Sequence, residues 1–122
     1  MIGYVCVGTN DLKRGAKYYD DLFASLGAKR IMDFGTFIVW GTSKNRAMFA
    51  LTVPYNKQPA TVGNGTMVAF AVKDTAQVDA LYKKAMELGS QDEGPPGDRG
   101  DNYYGAYFRD PDGNKLNFHC WT

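Results

Sequence analysis

The sequence predicts an α+β fold of two βαβββ modules, and three observations carry that prediction. A strand, a helix and three further strands are legible in residues 1–54 and again in 65–122, with a linker at 55–64. Each module holds one segment with apolar residues at helical spacing that runs into a glycine. The strands alternate, so each sheet has one apolar face for a helix and one face of mixed character. Together the modules are expected to form a curved, partly open mixed β-sheet around a cavity, with the helices outside.

Taken in order, Ile2 to Gly8 alternates as a strand. Asn10 is the expected cap of the first helix, with Asp11 in its first turn, where a negative charge suits the helix dipole. Leu12, Ala16, Tyr19, Phe23 and Leu26 form its stripe, with Leu22 beside it, and Gly27 ends it. Ala28–Phe34, Thr36–Gly41 and Arg46–Val53 follow as strands, separated by Gly35 and by the turn chemistry of Thr42 to Asn45. Thr66 to Lys73 restarts the pattern. Asp74 or Thr75 caps a second helix with Val78, Leu81, Tyr82, Ala85 and Leu88 inward, ended by Gly89. Ser90 to Gly100 reads as a loop around Gly94-Pro95-Pro96-Gly97, with a short edge strand before it. Tyr103 to Trp121 closes the chain as a β-hairpin turned at Asp110-Pro111-Asp112-Gly113.

Composition excludes several classes of function. A net charge of +1 gives no reason for nucleic acid or an anionic membrane as partner. No apolar run approaches the ~20 residues of a membrane span, and no signal peptide is visible, so a cytoplasmic protein is expected. Cys6 and Cys120 are expected as buried free thiols, because strand parity turns them to opposite faces. His119 is the sole histidine, so a site needing two cannot be assembled within one chain.

Val5, Val7, Phe49, Leu51, Val68, Phe70, Leu116 and Phe118 make the expected helix-facing set. The opposite set is the expected cavity wall: Tyr4, Cys6, Phe37, Met48, Ala50, Thr52, Met67, Tyr104, Asn117, His119 and Trp121. Its aromatic and methionine side chains suit a flat or apolar small molecule by stacking and dispersion. Asn117, Thr52, His119 and Arg99 would add polar selection. His119 is the candidate catalytic residue, a base of near-neutral pKa two residues beyond Asn117; its other reading is a hydrogen-bonded histidine of the wall.

The chain resembles the vicinal-oxygen-chelate superfamily of glyoxalase I, bleomycin-resistance proteins and extradiol dioxygenases. The resemblance rests on Thr9-Asn10-Asp11-Leu12, the helix end from Tyr18-Tyr19 to Leu26-Gly27, Val68-Ala69-Phe70-Ala71-Val72, and above all Phe108 to Lys115. It implies paired βαβββ modules, usually in a homodimer. It also implies metal-ligand positions at Tyr4, Ala50, Met67 and Asn117, where catalytic members typically carry His and Glu. Those four residues are poor ligands for a hard or borderline divalent ion, so no metal and no cofactor are expected. The leading expectation is a small-molecule-binding protein without the catalytic metal, as sequestering resistance proteins are. One alternative is a lyase-, isomerase- or dioxygenase-type enzyme that keeps a metal or uses His119. The other is a non-catalytic interaction domain with a filled cavity.

Overall fold

Asp11 opens the first helix. Its extended backbone and its carboxylate, which accepts from the Arg14 N–H at 3.1 Å, make it the N-cap of α1 (Leu12–Phe23). The expected cap, Asn10, does something else: its amide exchanges two hydrogen bonds with the Ala60 backbone, at 3.1 and 2.7 Å. Both residue types can cap, and the contact with a segment fifty residues away decides between them. One 3₁₀ turn, Ala24–Leu26, follows α1, and Gly27 ends it at φ 70°.

The structure, a computed structural model, describes residues 1–122 and divides into two compact units, Met1–Val62 and Gly63–Thr122. In the first, β1 (Tyr4–Gly8) runs parallel to β4 (Met48–Thr52), which continues antiparallel to β3 (Phe37–Gly41) and then β2 (Lys29–Asp33). The second repeats the pattern. There β5 (Val68–Ala71) lies parallel to β8 (Lys115–Trp121), followed by β7 (Tyr103–Arg109) and β6 (Gln91–Asp98), with α2 (Thr75–Glu87) after β5.

Each unit buries one sheet face under its helix. In the first, Tyr19 is fully buried among Phe23, Trp40 and Phe49, with its ring centroid 4.6 Å from that of Phe49. At the rim of this core Asp20 accepts from Trp40 Nε1 at 2.9 Å and from two Arg30 nitrogens at 3.0 and 2.8 Å. In the second unit Phe108, Leu116 and Phe118 are wholly buried, as are Val78 and Ala85 of α2. Asp74, not Thr75, caps α2, accepting from the Gln77 N–H at 2.9 Å.

Residues 91–98 are an edge strand that continues through Gly94-Pro95-Pro96-Gly97, where the sequence points to a loop after a short edge strand. Pro95 and Pro96 are tolerated because β6 is the edge of its sheet and its pairing with β7 shifts register around Gly94. The hairpin turn between β7 and β8 is organised by Asp110. Its buried carboxylate accepts from the Asp112 and Asn114 N–H groups and from the Asn114 amide, all at 2.9 Å, while Gly113 takes φ 89°. This turn fixes the hairpin register, and through it which side chains share a face.

Candidate functional site

Pairing from Arg109↔Lys115 to Tyr103↔Trp121 sets Tyr107 opposite Asn117 and Gly105 opposite His119. Directly opposed residues share a face, so Tyr103, Tyr107, Asn117, His119 and Trp121 lie together on the side of the sheet away from α2. Tyr104 does not. It pairs with Cys120 on the helix side, and its hydroxyl donates to Asp79 of α2 at 2.7 Å. The expectation that Tyr104 lines the cavity is corrected accordingly, and its neighbour Tyr103 takes that place.

Asn117 is the hub of this face and has no exposed surface. Its Nδ2 donates to the Ala106 carbonyl at 3.1 Å and lies 3.4 Å from that of Phe118. Two carbonyl oxygens on that side can accept but never donate, which fixes the amide's orientation. Oδ1 therefore points the other way, accepting from the Tyr103 hydroxyl at 2.9 Å and from His119 Nδ1 at 2.7 Å. An amide oxygen only accepts, so the imidazole proton sits on Nδ1 and Nε2 keeps its lone pair.

Gly105 makes this arrangement possible. A Cβ there would stand 2.8 Å from Tyr103 Cε1 and 3.1 Å from Asn117 Nδ2. Without one, the Tyr103 ring reaches along the strand to cover Asn117 and stacks on His119, at 5.0 Å between centroids and 14° between planes. Trp121 meets the Tyr103 ring edge-on at 5.0 Å, while keeping 69% of its surface exposed. Burial, helped by the adjacent Tyr107 hydroxyl, pushes the Tyr103 hydroxyl up to about 12. Burial acts in the opposite direction on His119 and lowers it below the ordinary imidazole value. At neutral pH both groups are uncharged.

Two cations flank the aromatic cluster. The Arg99 guanidinium and the Lys115 ammonium each lie 5.5 Å from the centre of the Tyr107 ring. Arg99 lies close over two glycines: Cβ atoms at Gly94 and Gly97 would stand 3.2 and 3.1 Å from its Nη atoms. It also donates to the Pro95 carbonyl. The third cation of this face, Arg109, is paired with Glu93 at 2.9 Å and with the Gly113 carbonyl.

In the first unit the corresponding face carries Tyr4, Cys6, Met48, Ala50, Thr52 and Phe37, brought together by the β1–β4 and β3–β4 registers. Tyr4 is 57% exposed and meets Phe37 edge-on at 6.0 Å. Cys6 is exposed rather than buried; Cys120 is buried. The Thr52 hydroxyl donates to the Val53 carbonyl at 2.8 Å, so its proton is used on backbone and only its lone pairs remain for a ligand.

Residues 1–118 match the Glyoxalase/Bleomycin resistance protein/Dioxygenase superfamily. The chain belongs to that family. It is similar to the crystal structure of a glyoxalase/bleomycin resistance protein from Albidiferax ferrireducens, at 37% identity and TM-score 0.91, with 100% of this chain and 99% of that chain covered. A glyoxalase-related enzyme from Fulvimarina pelagi shares the fold at 20% identity and TM-score 0.79, over 98% of this chain and 87% of that one. So does a lactoylglutathione lyase from Agrobacterium tumefaciens, at 23% identity and TM-score 0.73, over 98% and 92%. No curated protein matches the chain.

The four positions that the resemblance assigns to metal ligands do not present a fitting donor set. Ala50 has no donor and is buried, and the Asn117 carbonyl oxygen already accepts two hydrogen bonds. Met67 and Tyr4 are exposed, one a soft thioether and the other a phenol. No group of three or more His, Cys, Asp or Glu side chains converges anywhere in the structure. Tyr103, Tyr107 and Lys115 escape the sequence reading, which named only Arg99 of the two cations over Tyr107. Hairpin parity counted back from the Asp110–Gly113 turn would have found the two tyrosines.

Proposed function

We propose that the chain is a small-molecule-binding glyoxalase/bleomycin-resistance-like protein that works without a divalent metal at the family position. The observation that carries this reading is Asn117. At the position of the acidic ligand stands a neutral amide whose oxygen and nitrogen are both consumed inside the sheet. Such a group holds its neighbours in place and offers an incoming ion nothing. What it holds is a stacked Tyr103–His119 pair beside Trp121 and Tyr107, a surface suited to a flat ligand. The reading includes a cytoplasmic protein with reduced thiols and a homodimer, the usual assembly of the resembled family.

Elemental analysis after dialysis against nickel, zinc, manganese and iron tests the metal half. The expected result is no stoichiometric ion, and one tight ion per chain would overturn it. A thermal-shift screen of small aromatic and apolar compounds tests the binding half.

A second reading is favoured by one observation. With its proton fixed on Nδ1, His119 presents Nε2 as a preformed base, which suits metal-independent proton transfer. Turnover of a screened ligand that His119→Gln abolishes while binding persists would establish an enzyme.

A further inference from the structure

We infer that the ligand of the second unit's helix-free sheet face is a small planar anion of the aromatic carboxylate class, its charge held by Arg99 and Lys115. The inference rests on the binding reading above and names the ligand's chemistry. The two cations sit on the Tyr107 ring, each 5.5 Å from its centre, and neither has a carboxylate partner within salt-bridge distance. Arg99 and Lys115 are therefore uncompensated, whereas Arg109 on the same face is neutralised by Glu93.

Two acidic residues near Arg99 in the sequence have other partners. Asp98 pairs with Tyr104 in the register that faces α2, and its carboxylate accepts from the Gly100 N–H at 2.7 Å. Asp92 accepts from Tyr82 and from the Gly94 N–H, at 2.8 Å each.

The guanidinium also has neighbours that orient it. It lies close over Gly94 and Gly97, the Pro95 carbonyl takes one of its N–H groups, and Tyr107 supports its plane. A guanidinium with remaining N–H donors, beside a lysine, is the chemistry that recognises a carboxylate. Gly97, Gly105 and His119 lie in one row across the sheet. Two strand spacings, about 10 Å, separate the ends of that row, which is the span of a substituted benzene ring with its contacts. The Tyr103 ring lies between them over Gly105 and supplies the stacking surface. The neutral His119 meets the end of the ligand remote from its charge.

The test uses the full chain and three probes: benzoate, its neutral isostere benzamide, and benzylamine. Each is titrated while backbone amide and His119 imidazole resonances are followed by NMR. Benzoate is expected to shift Tyr107, Arg99 and His119 saturably, with at least about tenfold higher affinity than benzamide, and benzylamine to leave them unmoved. Arg99→Gln should cut the benzoate affinity by about tenfold, leave benzamide within about twofold, and retain wild-type spectral dispersion. If that variant does not fold, the wild-type salt dependence decides: benzoate should weaken as salt rises, and benzamide should not. Benzamide or benzylamine binding these residues as well as benzoate would overturn the anion assignment and leave the binding reading standing. Failure of every probe to move these residues would overturn the anion assignment, and the binding reading falls with it only if the thermal-shift screen also finds no ligand.

Discussion

Replacing Asn117 with leucine removes a hub without changing the size of the side chain much. Three hydrogen bonds of good length disappear: to Tyr103 at 2.9 Å, to His119 at 2.7 Å and to Ala106 at 3.1 Å. At about 1 kcal/mol net for each, the gross loss is about 3 kcal/mol. A fully buried leucine returns roughly 1.5–3 kcal/mol in transfer free energy, reduced here because polar groups line the site. The expected net cost by urea titration is about 1–2 kcal/mol, a destabilised but folded protein. Phe118→Ala, on the opposite face and without exposed surface, is the comparison, and should cost about 3–5 kcal/mol as a core truncation. The decisive assay is nitrogen NMR of the His119 imidazole. In the wild type it should report the Nδ1–H tautomer, and in Asn117→Leu the ring should shift toward Nε2–H as its acceptor is lost. Either a wild-type Nε2–H ring or a tautomer unaffected by the substitution would refute the hub. If Asn117→Leu unfolds the protein while Phe118→Ala is tolerated, the two faces of the hairpin are exchanged.

Gly105→Ala should displace the Tyr103 ring, because the new Cβ falls 2.8 Å from Tyr103 Cε1. The expected cost is about 1–3 kcal/mol, and tyrosinate titration should show Tyr103 moving from about 12 back toward ordinary tyrosines; an unchanged titration would refute the steric role of Gly105. Asp20 supplies a pH dependence. Partial burial works to raise its carboxyl, but the bonds from Arg30 and Trp40 outweigh this and set it below the ordinary aspartate value. A depressed folded pKa stabilises above the unfolded value and is lost as pH falls through the folded one. The stability gap between wild type and Asp20→Asn should therefore be full at neutral pH and close on acidification below about pH 4. A gap that widens in acid would contradict the sign. Light scattering at micromolar concentration should give twice the 13.5 kDa chain mass, and a single-chain mass would overturn the homodimer.

The alternation of β8 was legible because its period of two needs no partner to be read. Leu116, Phe118 and Cys120 are buried on one side, with His119 and Trp121 on the other. The helix positions were legible for a similar reason, since Gly27 and Gly89 take left-handed φ where the apolar stripes end. The length of the edge strand at 91–98 was not. Its prolines and glycines argue against a strand locally, and only an edge position with irregular pairing accommodates them. Tyr104 was misplaced because the two adjacent tyrosines are equivalent by type, and only the register against β8 separates them.

By itself the sequence determined the repeat, the helix ends, the hairpin turn and the parity of the strands, because each depends on neighbours within a few residues. It also determined that Tyr4, Ala50, Met67 and Asn117 are a poor donor set, since that follows from side-chain chemistry alone. Tertiary structure decided what those side chains do. That Asn117 fixes a histidine tautomer depends on the Ala106 and Phe118 carbonyls turning its oxygen toward His119. That Arg99 stands over Tyr107 depends on the turn from β6 to β7 bringing residues eight apart together. Hydrogen-bond direction and charge compensation are set by which groups converge in space, and strand pairing, unlike alternation, joins residues that no local pattern connects.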